Sequence, residues 1–202
     1  MKNVTVIVIA CFLNNALFAQ DQKIISDCTI TYSVNSLQDN NIGSKTIYIK
    51  GKNIRIDLVS NTFQQTTFFS GSNGQATVLK TVGESKYISN YKPAEWKKAN
   101  EIYEGIKVSL TGKTKQLLNY NCKEAILTFK NGNTYTVYYV PGLMPSVMES
   151  PFEFKNIPGL VLAYESSLKG NDKITYKASK VDFTPVPSYQ FDIPKTGHRI
   201  LH

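Results

Sequence analysis

Histidine is almost missing from this chain: His198 and His202 stand four apart near the end of 202 residues. Such a pair clips a metal only from an ordered helix, which a chain end rarely provides, so no metal site is expected. Other signatures of chemistry are missing too. There is no G-x-S-x-G, no paired-cysteine redox or metal motif and no glycine-rich phosphate loop, so no cofactor is expected. The carboxylates are scattered on strands opposite lysines, and the reading is a protein that is not an enzyme; a hydrolase using Asp and Glu alone leaves no motif to search for. Beyond the first twenty residues nothing approaches the ~18 apolar residues of a membrane-crossing helix, so the chain is read as not transmembrane. Basic residues outnumber acidic ones, 23 to 15, for a net charge of +8, yet they form no run. That argues against nucleic acid and leaves an anionic lipid or glycan as a compatible partner; a charged surface that keeps the protein soluble is the plainer reading.

Cysteine is scarce, and its positions carry information. Lys2 followed by the mostly apolar Val4–Phe18 and the small Ala19 has the order of a secretory signal peptide, with cleavage expected after Ala19. Val8-Ile9-Ala10-Cys11 looks like a lipidation box, but its apolar run is short, and anchoring at Cys11 is not expected. Residues 20–202 then form one domain, secreted or periplasmic, expected to be monomeric. They keep 22 basic and 15 acidic residues, a charge of +7, because only Lys2 is lost. They also keep two cysteines, Cys28 and Cys122. In an oxidising compartment such a pair is read as a disulfide tying the first strand to the middle of the sheet, the alternative being two buried thiols.

What is abundant is alternation. Cys28, Ile30, Tyr32 and Val34 define one face of a strand. Lys45–Lys50 and Ile54–Val59 flank Gly51-Lys52-Asn53 as a hairpin, with Arg55 and Asp57 on its wet face. Residues 62–70, 75–82 and 86–91 continue the meander. Pro93–Glu104 is the one helical stretch, with Trp96, Ala99, Ile102 and Tyr103 at helical spacing. Strands are expected again at 106–110, 116–120, 121–130, 134–140, 160–165 and 173–183. In the last, Ile174, Tyr176 and Ala178 pass to Val181 and Phe183 one residue out of phase, as a β-bulge would produce. A proline-rich tail packs in extended form. Ten Phe and twelve Tyr are read as strand propensity and core, without a basic groove on which bases would stack.

One stretch does not fit the meander. Between Val140 and Leu160 stand Pro141, Pro145, Pro151 and Pro158, which bar a ladder strand or long helix. Yet the connector carries Leu143, Met144, Val147, Met148, Phe152, Phe154 and Ile157, and a loop that apolar must cover something. Glu149 and Glu153 beside it read as a solvated rim. The expectation is a mainly β fold with minor α: a curled antiparallel sheet, or half-barrel, of about ten strands, covered by one helix and an apolar proline-rich flap.

At Asn156-Ile157-Pro158-Gly159-Leu160-Val161 the chain resembles the signature of the GLPGLI family of secreted Bacteroidetes proteins. Pro158, Gly159 and Leu160 match, Ile157 and Val161 are conservative, and Asn156 stands where the family has glycine. Thr111–Lys115 leading to Asn119-Tyr120-Asn121-Cys122-Lys123, with Asn119 in place of a glycine, and Phe191-Asp192-Ile193-Pro194 extend the likeness. The family's activity is uncharacterised. Its layout is similar to the periplasmic lipoprotein-carrier (LolA/LolB-like) fold, whose curled sheet closes over a cavity for acyl chains. That layout agrees with the sheet-plus-flap reading. The expectation is a non-enzymatic binder or carrier of a lipid, acyl chain, lipoprotein or other apolar ligand in the cell envelope, with Leu143, Met144, Met148, Phe152, Phe154 and Ile157 of the flap as its candidate lid. The rival expectation is a secreted interaction module with a filled core and no ligand.

Overall fold

Alternating apolar side chains set nearly every strand. The structure is a computed structural model describing residues 22–36, 39, 41–148, 153–167 and 173–201. The expected signal segment with Cys11, and also Glu149 and Phe152, lie outside the described residues. β1 (Lys23–Ile25) leads into β2 (Asp27–Ser36), where Cys28, Ile30, Tyr32 and Val34 are all buried. A meander follows: β3 (Gly43–Lys50), β4 (Asn53–Ser60), β5 (Phe63–Ser70), β6 (Ala76–Val82) and β7 (Ser85–Tyr91). Gly51 turns the first of these hairpins at φ 57, a conformation that side chains disfavour.

After α1 (Pro93–Ala99), a second run of strands returns: β8 (Lys107–Leu117), β9 (Tyr120–Thr128), β10 (Thr134–Pro141), β11 (Leu143–Pro145), β12 (Gly159–Ser167), β13 (Lys173–Asp182) and β14 (Arg199–Ile200). Twelve strands make one open sheet, ordered β14-β7-β6-β5-β4-β3-β2-β13-β12-β10-β9-β8, while β1 and β11 pair separately. This exceeds the expected ten or so; the short β14 adds one strand at the sheet edge, and β1 with β11 stands outside the sheet. So many twisted strands curl rather than stay flat. β13 pairs with β2 and slips register between Ala178 and Lys180, the bulge expected from the change of phase.

β7 and β8 follow each other in sequence yet lie toward opposite ends of the sheet. Residues 92–106 must therefore cross its open side. Pro93 starts α1, and the Glu95 carboxylate accepts the Lys92 N–H at 2.8 Å. The helix stops at Ala99, short of the expected Glu104. Asn100 donates its side-chain amide back to the Trp96 carbonyl at 2.8 Å, and Glu101–Tyr103 tightens into one 3₁₀ turn. Neither helical piece has a fully buried residue, so the crossing touches the sheet only at points, Trp96 on Tyr91 and Tyr103 against Phe129.

The flap does pack. Leu143–Pro145 pairs in parallel with Lys23–Ile25, and Val147, Phe154 and Ile157 are buried on the inner sheet face. Gly159 begins β12 where backbones touch: a Cβ there collides with the Val140 carbonyl and sits 2.8 Å from the Tyr139 ring. That gives the Pro158-Gly159-Leu160 motif a steric reason. On the outer face Arg55 and Asp57 are less wet than expected, because the tail crosses them. Arg55 stands over the Tyr48 and Phe68 rings and donates to the Gln190 carbonyl at 2.8 Å. Val186 is buried there, and Ser188–Phe191 forms a 3₁₀ turn where an extended tail was expected.

Two further expectations fail. β8 runs as one strand from Lys107 to Leu117, its pairing with β9 interrupted by a register shift between Leu110 and Thr114, and the turn falls at Leu118 (φ 51) and Asn119. The bridge between Cys28 and Cys122 does not form; both are buried free thiols. Three strands lie between β2 and β9. Four spacings of about 4.8 Å along the sheet far exceed the ~5.5 Å Cα separation of a disulfide. Burial, with the nearby Asp27 charge, pushes the Cys28 thiol up to about 12.

Two outcomes follow from this packing. Gly159→Ala should lower stability by about 1–3 kcal/mol in urea unfolding through overpacking, and an unchanged midpoint contradicts the close approach. Thiol labelling with peptide mapping should leave Cys28 and Cys122 unmodified in the native protein and modify both after unfolding without reductant. A requirement for reductant contradicts the free thiols.

Candidate ligand groove

Lys45 shares strand parity with Ile47 and Ile49, so β3 turns a cation into an apolar face. The ladder places it between Tyr32 on β2 and Leu58 on β4. Only 9% of Lys45 is exposed. Its ammonium donates to the Tyr164 hydroxyl at 2.7 Å and lies 5.2 and 5.3 Å from the Tyr164 and Tyr176 ring centres. Those rings are cross-strand neighbours stacked at 4.5 Å with planes 3° apart. A desolvated cation over two aromatic faces is held by their quadrupoles as well as by its hydrogen bond.

The flap brings the counter-charge. Phe154 packs edge-on against Tyr164 at 5.0 Å, and this anchors Glu153 beside it, turned inward and half-buried instead of forming a solvated rim. Glu153 acts electrostatically on Lys45. Burial lowers the Lys45 pKa, with the Glu153 charge opposing the shift; burial raises the Glu153 carboxyl, with Lys45 opposing. The same carboxylate, and then burial, raises the Tyr103 phenol. Burial first and Glu153 second raise Tyr164 and Tyr176.

Two adjoining chambers open around this pair. The outer one, about 420 Å³, is lined by Tyr103, Ile106, Val108, Lys130, Glu153 and Lys155 among others. The inner one, about 240 Å³, has Ile56, Leu58, Lys45, Trp96, Tyr164 and Tyr176 around it. Tyr103 and Glu153 line both. The groove exists because the crossing segment stands off the sheet where the flap does not reach. Trp96 packs on Tyr91 at 5.4 Å, and its buried indole N–H has no hydrogen-bond partner among the described residues.

Beneath the flap the situation is opposite. The space among Ile30, Tyr32, Ile47, Met148, Phe154 and Leu160 is about 20 Å³, room for about one water. Phe154 and Ile157, read from sequence as a lid over a ligand, fill the core. Met148 edges the small void, and Leu143 and Met144 are half-buried on the short strand beside β1. The sequence reading missed Lys45, Trp96 and Tyr103 as site residues. A lysine in phase with Ile47 and Ile49 was the available signal, as were Gln65 and Thr67 in phase with Phe69. Tyr103 had none, because its place depends on where the crossing runs. Among the described residues no three His, Cys, Asp or Glu side chains gather to hold a metal.

No protein-family model and no curated protein matches this sequence. The GLPGLI likeness rests on its residues alone. Solved structures do share the fold. PNGF-II superposes with a TM-score of 0.52 at 14% identity over 87% of this chain and 32% of its own. The chain thus spans about a third of the length of PNGF-II. An uncharacterised conserved protein from Thermus thermophilus gives 0.52 at 10% identity, covering 87% of this chain and 90% of that one. The LolA superfamily protein NE2245 from Nitrosomonas europaea gives 0.34 at 9% identity, too low to argue from. At such identities the likeness concerns architecture only.

The Lys45–Glu153 pair generates a signed prediction. Burial holds Glu153 above the ordinary carboxylate range, so the native chain keeps this proton where the unfolded chain has lost it. Stability accordingly falls as pH rises through that window. Lys45→Met removes the opposing charge and should cost about 3 kcal/mol near pH 8, shrinking toward pH 5, in urea unfolding. An equal loss at both pH values contradicts the pairing.

Proposed function

We propose that this protein is a non-enzymatic binder or carrier of an amphipathic, lipid-like ligand in the cell envelope, exported by its N-terminal segment, and that the ligand lies in the groove. The observation that carries the reading is the pair of chambers meeting at Tyr103 and Glu153. The outer chamber falls within the usual size of ligand pockets, and its lining mixes aliphatic walls with hydrogen-bonding groups. Methylenes laid against Ile56, Leu58, Ile106 and Val108 contribute ~0.8 kcal/mol each. Polar ends meet Asn100, Asn156 and Ser166. The GLPGLI resemblance supports an envelope role. An acyl chain seated under the flap is not favoured, because that space is filled. The same filled core favours a second reading, an interaction module that takes no ligand.

Trp96 is the single tryptophan and lines the inner chamber, so its emission reports the groove directly. Titration with single-chain amphiphiles below their critical micelle concentrations should give a saturable spectral change. Tyr103→Ala should weaken it while the far-ultraviolet circular dichroism stays that of the parent. If no amphiphile alters Trp96 in the folded protein, the interaction module replaces this reading.

A further inference from the structure

We infer that the groove selects an anionic headgroup, a carboxylate or phosphate seated on Lys130 and Lys155 in the outer chamber, with the apolar part of the ligand passing Tyr103 toward Ile56 and Leu58. This rests on the groove being the binding site.

The charges of the lining lead there. Lys45, Lys97, Lys130 and Lys155 face Glu104 and Glu153, so cations exceed anions by two. Lys45 is matched electrostatically by Glu153, and Lys97 pairs with Glu104 at 3.5 Å. The excess therefore falls on Lys130 and Lys155, which make no ion pair among the described residues. They come from different elements, the turn after β9 and the flap, and meet at one chamber. Lys130 is also shaped toward it. A Cβ on Gly105 would lie 2.7 Å from the Lys130 Cε, so the glycine leaves the lysine stem room to cross the chamber wall. Gly105 has φ +74, which suits glycine independently.

Charge and polarity then divide along the groove. The two unmatched ammonium groups lie at the exposed end, where an anion keeps part of its hydration and gains charge-assisted hydrogen bonds. The aliphatic pair Ile56 and Leu58 lies at the inner end with Trp96 and Tyr164. A zwitterionic headgroup gains less, because the lining carboxylates Glu104 and Glu153 already face lysines.

The test follows Trp96 emission at low ionic strength with four probes: oleate, dodecyl phosphate, neutral monoolein and lysophosphatidylcholine. Inorganic phosphate alone, followed by backbone amide shifts near Lys130 and Lys155, separates a headgroup site from a free-anion site. Oleate and dodecyl phosphate should bind roughly tenfold tighter than monoolein, a difference that shrinks as salt screens it. Lys130→Gln with Lys155→Gln should abolish the preference for the anionic probes over monoolein; both positions are exposed, so the fold is retained. Equal binding of neutral and anionic probes, or a preference that survives the double substitution, overturns the inference and leaves the groove as the site. Phosphate binding with no amphiphile binding refutes the headgroup assignment and the proposed function together while keeping the anion seat. No binding by any probe removes both.

Discussion

The contact on which the rest depends is Phe154 against Tyr164. A twelve-stranded open sheet with one apolar face needs a cover, and β-hairpins alone cannot provide it. The proline-rich connector provides it by bringing Phe154 and Ile157 down onto Tyr32, Leu162 and Tyr164. Once Phe154 is fixed, its neighbour Glu153 has little choice but to face Lys45. The electrostatic matching of the two charges follows from the aromatic anchor and sits at the border of the covered area.

That border divides the inner face into a dry half and a wet half. Under the flap the side chains interdigitate and leave about 20 Å³. Under the crossing segment they do not, because residues 93–103 must reach from one end of the sheet toward the other and contribute no fully buried side chain. A span that long cannot also follow the sheet surface closely. The resulting groove has a floor of strand residues, a roof carrying Trp96 and Tyr103, and Glu153 between its chambers. Where the chambers meet, Lys45 and Glu153 act on each other electrostatically, and tyrosines surround them with phenols held protonated.

Much of this was legible before any coordinates. Period-two runs gave the strands of the meander, Asn131-Gly132 marked a hairpin, and the phase change after Ala178 marked the bulge. The prolines and apolar residues of 141–158 indicated a cover. Less legible was whether that cover closed over a ligand or became core, since volume matching between Phe154 and its sheet is not written in periodicity. The cysteines misled for a related reason: strand membership was read correctly, but the order β2-β13-β12-β10-β9 that separates them is a property of topology. Lys45 was legible and was passed over. Its alternation with Ile47 and Ile49 placed a charge on the wrong face of a strand, and such a local conflict often marks a functional position.

The central claim is that the groove holds a ligand while the space under the flap does not. Native mass spectrometry of residues 20–202 produced in a periplasm, followed by organic extraction, tests it most directly. The account predicts a stoichiometric adduct of amphiphile mass, present in the parent and reduced in Tyr103→Ala. A clean apo mass, with no uptake of added fatty acid or phospholipid, contradicts it and leaves a curled sheet that serves as an interaction surface.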